Sequence, residues 1–128
     1  MDKKIIASAA LLGMVAIILG AFGAHGLKQY LTADQLVTFE TGVKYQMYHA
    51  LFLLFVGMST LTSQKAKKGI HLLVLFGVLF FSGSIYVLAT KSVSGLDFSA
   101  IGIVTPIGGL LLIVAWFWLF IDLRRKNS

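Results

Sequence analysis

The sequence predicts an all-α integral membrane four-helix bundle, with a short interfacial amphipathic helix between its first and second spans. Three observations carry that reading. Apolar residues make up 58% of the 128-residue chain and charged ones 12%, against roughly 45–50% and about 25% in soluble domains. The apolar residues gather in four runs, each about as long as a helix needs to cross about 30 Å of hydrocarbon. Lys and Arg sit in short clusters at the ends of those runs, as they do in membrane proteins. By length the chain is a single membrane domain over residues 1–128, with spans at about 5–24, 45–62, 69–90 and 100–121.

Met1–Lys4 is a short basic leader, and Ile5–Ala24 is the first uncharged run. A cleaved signal peptide competes with a first span here, because small residues follow the run at Gly20–Ala24; the run is longer than the usual h-region of about 7–15 residues. Ala9, Gly13, Ala16, Gly20 and Ala24 form a small-residue stripe at spacings of three and four. Such a stripe lets another helix approach closely in lipid. It suits a helix of the same chain, a second copy or another membrane protein equally well. Gly23 belongs to the same packing surface, and Gly26 can end the helix.

The polar interval His25–Lys44 holds a capping box, Thr32–Ala33–Asp34–Gln35. Leu36, Phe39 and Val43 then recur at helical spacing, with Glu40 and Lys44 four apart on another face. We read 33–44 as an amphipathic helix lying at the interface. The second span is interrupted only by Gln46 and His49, and Thr60–Lys68 reads as a polar turn with Lys65, Lys67 and Lys68. The third span carries Ser82–Gly83–Ser84–Ile85–Tyr86, and 91–99 is a small loop. In the fourth, Thr105 is an N-cap with Pro106 at the first helical position, or Pro106 kinks a longer helix. Gly108 and Gly109 follow as packing positions. Trp116, Trp118 and Arg124–Lys126 mark the closing interface.

Orientation follows from Lys and Arg. The N-terminus, the second loop and the C-terminus share a side and hold eight of the eleven. Both termini are expected in the cytoplasm, with the chain multi-pass in the membrane. His25, Gln46, His49, Ser82, Ser84, Tyr86 and Thr105 then fall in the outer half of the bilayer, with Tyr45 at its rim. Polar groups at that depth need partners inside the protein.

Two readings of this set stand. In one it is an outward-facing pocket for a metal, heme, lipid headgroup or small solute, with His25 and His49 as ligands and Glu40 folding over as a third. In the other the same groups hydrogen-bond across helices and fix the packing, at roughly 1 kcal/mol per contact. Two histidines alone make a weak metal site, and no cofactor is required by the sequence. There is no cysteine, so thiolate sites and thiol nucleophiles are absent. No nucleophile–base–acid set, phosphate loop or dinucleotide fingerprint occurs, so a non-enzymatic protein is expected. The net charge of +6 lies at span ends rather than in a stripe, which argues against nucleic acid.

GAFGAHGL at 20–27, VKYQMYHAL at 43–51, FSGSIY at 81–86 and TPIGG at 105–109 resemble, in order and spacing, the small bacterial membrane proteins of the YgdD and MspA type, catalogued as domain of unknown function 423. The resemblance covers nearly the whole chain. It implies a compact four-helix protein of the bacterial membrane and no particular reaction, and it points to a role in membrane integrity or homeostasis. Its motifs pick out His25, Tyr45, Gln46, His49, Ser82, Tyr86, Thr105, Pro106 and Gly108.

Overall fold

The computed structural model describes residues 2–90 and 101–125. Four helices follow in order among these residues: α1 (Lys3–His25), α2 (Ala33–Met58), α3 (Gln64–Ala89) and α4 (Ile101–Arg124). Met1, the expected loop at 91–99, Ala100 and Lys126 lie outside the described residues.

Side-chain caps set the helix starts. Asp2 accepts from the Lys4 and Ile5 amides, which α1 leaves without intrahelical partners. The capping box at Thr32 forms as expected: Gln35 N donates to Thr32 Oγ1 at 3.1 Å, and Thr32 N donates to Gln35 Oε1 at 2.9 Å. Ser63 caps α3 through the Ala66 amide. That cap starts α3 five residues earlier than the expected span, so Lys65, Lys67 and Lys68 lie in its first turns rather than in a loop. α1 ends at His25, with Gly26 as its cap.

The amphipathic helix and the second span are one rod. α2 runs unbroken for 26 residues, about 39 Å at 1.5 Å per residue. Its buried positions Phe39, Gly42, Gln46, His49, Leu53 and Val56 repeat every three or four residues across the expected junction at Lys44–Tyr45. Nothing there breaks the hydrogen-bond ladder, and one continuous inward stripe keeps both parts on the same axis. α1, α3 and α4 are long and apolar enough to cross a membrane; α2 is long enough, but it carries the polar residues that the bundle encloses.

α2 packs on α1 and on α3, and α3 packs on α4. The central core takes Ile5 and Ala9 from α1, Leu53 and Val56 from α2, Ile70 and Val74 from α3, and Leu112 and Ala115 from α4. Other large apolar side chains of the outer helices point the other way. Ile17, Ile103 and Ile113 are more than 60% exposed, an apolar surface of the kind that meets a membrane or another protein. The small-residue stripe of α1 serves α2: Gly13 lies against Ala50 and Met47, and Gly20 against Val43.

Gly23 admits the Phe39 ring and Gly109 makes ordinary contact with Phe81. Gly108 does more: a Cβ there would run into the backbone at Phe80 and Phe81, so it sets how closely α3 and α4 approach. Pro106 stands inside α4, not at its start, and Thr105 is helical rather than a cap. Pro106 is exposed rather than packed inside the bundle. Residues 101–104 continue the helix before it, so Pro106 lies in the second turn and leaves the Gly102 carbonyl without its i→i−4 amide partner.

Gly108→Ala should cost about 1–3 kcal/mol of stability through overpacking. Gly83→Ala, whose nearest neighbour would be Leu79 at 3.9 Å, should be neutral or slightly stabilising. Thermal unfolding of both variants in detergent checks the contrast.

Candidate functional site

Neighbouring helices are antiparallel, so α1 and α3 finish where α2 and α4 begin. We call this the His25 end and the opposite one the Lys3 end. Gln46 is the centre of the polar set. Its Nε2 donates to the Leu12 carbonyl of α1 at 2.9 Å, and its Oε1 accepts from the Tyr86 hydroxyl of α3 at 2.7 Å. Tyr86 reaches it because long side chains lean toward their helix N-terminus, and because Gly42 leaves room where a Cβ would meet the Tyr86 ring. Ser82, on the same face of α3, donates to the Gly42 carbonyl at 2.7 Å. Ser84 and Thr105 join their hydroxyls, tying α3 to α4.

His49 closes the circuit from α2 to α4. The indole Nε1–H of Trp116 donates to His49 Nε2 at 3.0 Å. The other ring nitrogen, Nδ1, faces the Tyr45 carbonyl at 2.7 Å. A carbonyl can only accept and an indole N–H can only donate, so His49 is the neutral Nδ1–H tautomer with both nitrogens engaged. Trp116 also lies on Phe52, ring centroids 4.0 Å apart. It is therefore a hydrogen-bond partner within the bundle, not the interfacial anchor expected of it. Trp118 covers Gly69 near the Lys3 end.

Four sequence expectations change. His25 is exposed in the last turn of α1. Gly23 packs on Phe39 and Gly13 on Ala50, so His25 and His49 are offset along the bundle by on the order of 18 Å at 1.5 Å per residue. They do not share a site, and no group of three or more metal-ligating side chains occurs among the described residues. Glu40 is exposed, nine residues and about two and a half turns from His49. It faces the opposite way and cannot fold over it. Because α2 begins at Ala33, His49 lies near the middle of the bundle instead of one turn below its rim. Tyr45 is 41% exposed, its ring edge-on to Phe81 and Tyr48; only its carbonyl belongs to the network.

The hydrogen-bonded pairs floor two side grooves open to the lipid-facing surface. One, of about 330 Å³, has His49, Trp116, Tyr45 and Phe81 in its walls. The other, of about 420 Å³, has Gln46, Tyr86, Gly83 and Leu12. Both are mainly apolar.

Two contacts toward the Lys3 end were not legible as such. Buried Asp122 of α4 accepts from Ser63 N at 2.9 Å and from Ser63 Oγ at 2.7 Å, holding the α3 cap. His71 Nε2 lies 3.0 Å from Ser8 Oγ, which itself donates to the Lys4 carbonyl; His71 therefore links α3 to α1. A lone acid inside an apolar run marks Asp122 as placed, but its partner carries no signal.

Four antiparallel helices with an apolar exterior and an internally paired polar set define a small multi-span helical membrane protein. The chain belongs to the family described as "Protein of unknown function (DUF423)", whose model matches residues 19–109. It is 44% identical over 119 residues to a UPF0382 membrane protein of Staphylococcus saprophyticus, covering 93% of this chain and 95% of that one. It is 39% identical over 128 residues to one of Haemophilus influenzae (100% and 99% covered). To YwdK, the UPF0382 membrane protein of Bacillus subtilis, it is 35% identical over 121 residues (93% and 94%). No solved structure matches.

Gln46→Leu and Tyr86→Phe should each lower stability by about 1 kcal/mol. A double-mutant cycle in detergent should return a favourable coupling of about 0.6 to 1.7 kcal/mol. Tyr30→Phe, at an exposed position, should show no coupling to Gln46.

Proposed function

We propose that this chain is a non-enzymatic four-span protein of the bacterial cytoplasmic membrane, with both termini in the cytoplasm and a role in membrane integrity or homeostasis. One observation supports this over a ligand pocket. The inward polar side chains find their hydrogen bonds on one another and on the backbone, both nitrogens of His49 included, and no buried side-chain polar atom lacks a partner among the described residues. To take a metal or heme on Nε2, His49 would have to give up the Trp116 hydrogen bond that joins α2 to α4, although Nδ1–H would keep the Tyr45 carbonyl. The orientation rests on the Lys3 end, which holds Lys3, Lys4, Lys65, Lys67, Lys68, Arg124 and Arg125 and so belongs on the cytoplasmic side.

The alternative is a binding or transport module using the groove beside His49 and Trp116. Metal and heme content of detergent-purified protein separates the two. We expect substoichiometric metal and no heme, and a His49→Ala variant that loses thermal stability alone. A stoichiometric group that disappears in His49→Ala would replace the packing reading with the alternative. Cells lacking the protein should admit a membrane-impermeant dye faster, and a His25→Ala copy should restore them as well as the wild type does.

For orientation, Lys28→Cys and Lys65→Cys in this cysteine-free chain are labelled with a membrane-impermeant maleimide on intact cells. Lys28→Cys should react and Lys65→Cys should not; the reverse would invert the topology.

A further inference from the structure

The two ends of the bundle differ in charge. Among the described residues, the His25 end balances Lys28 and Lys44 against Asp34 and Glu40. The Lys3 end sets seven cationic side chains against Asp2 and Asp122, and both of these carboxylates accept hydrogen bonds from helix-cap groups. Asp122 is buried and Asp2 half-buried, while Lys65, Lys68 and both arginines are exposed.

A cavity of about 340 Å³ opens at this end, lined by Thr60, Leu61, Leu123 and Arg125. Its walls come from the α2–α3 turn and the last turn of α4, and the Asp122–Ser63 hydrogen bonds clamp those two pieces together. The turn is braced further by Ser59, which accepts from Leu61 N and Thr62 Oγ1 at 3.1 Å each. The Arg124 guanidinium lies 5.8 Å from the Phe120 ring centre.

The lining is amphipathic, combining Arg125 and Thr60 with two exposed leucines. Leu61 is 70% exposed at the level where a spanning helix meets headgroups. Arginine matches phosphate through paired N–H donors, and cations just outside a span attract anionic lipid. We infer that this cavity seats one anionic phospholipid, with its phosphate on Arg125 and Thr60 and the start of an acyl chain on Leu61 and Leu123.

Native mass spectrometry of the detergent-purified full chain tests this, with phosphatidylglycerol and phosphatidylcholine of identical acyl chains titrated in parallel. Wild type should retain one phosphatidylglycerol in preference to phosphatidylcholine. Arg125→Gln should weaken retention about fivefold or more, whereas Lys3→Gln, the same charge change at the same end but away from the cavity, should not. Leu61→Ser, in an exposed turn, tests the apolar wall and keeps the test valid should Arg125→Gln fail to fold. Equal retention of the two lipids would overturn the proposal. So would equal loss in Lys3→Gln, which means diffuse attraction, or full competition by glycerol phosphate, which means a free-phosphate site. Wild-type retention in Leu61→Ser would also overturn it.

Discussion

Hydrocarbon supplies no hydrogen-bond partners, so every polar side chain carried into the bundle must find one on another helix or on the backbone. Gln46 shows how this requirement organises the molecule. One amide donates to α1 and accepts from α3 while sitting on α2, fixing the rotation and axial register of three helices at once. Apolar contacts alone would specify these weakly, because a leucine surface in lipid gains little from exchanging acyl chains for another leucine surface. Small residues do the complementary work. Gly42 admits the ring that reaches Gln46, and Gly108 lets α4 settle against the α3 backbone.

The same constraint accounts for His49. A neutral imidazole with a donor on one nitrogen and an acceptor on the other can be satisfied in a low-dielectric interior without gaining charge. Trp116 supplies the matching donor from α4, and the α2 backbone supplies the acceptor one turn back. An arrangement that uses both nitrogens selects one tautomer and one ring orientation. It resembles glue between helices more than a poised ligand.

Toward the Lys3 end the chemistry changes character. Charged groups are plentiful there, and the two carboxylates are spent on helix caps, Asp2 on its own helix and Asp122 across to the cap of α3. A capping carboxylate meets the positive end of the helix dipole, so the α3 start is stabilised from another element. Among the described residues, the result is a basic end and an electrically balanced opposite end on one small bundle.

All-α membrane class, the helix starts at Thr32, the small-residue face of α1 and the family itself were legible in the residues, because each depends on local composition, capping chemistry or period. The inward polar set was legible as a list, since Gln46, His49, Ser82, Ser84, Tyr86 and Thr105 interrupt apolar runs. Who pairs with whom was not. His25 and Glu40 looked like partners of His49, yet the α1–α2 turn offsets the first along the axis and helical rotation turns the second away. Trp116 and the carbonyls of Leu12 and Gly42 became partners only through the register in which the helices pack. The continuity of α2 across Lys44 was likewise decided by tertiary contacts, whose inward stripe ignores the change from polar to apolar composition. Capping chemistry and period act within a few residues and so can be read along the chain. Pairing between helices depends on relative height and rotation, which exist only once four helices have packed.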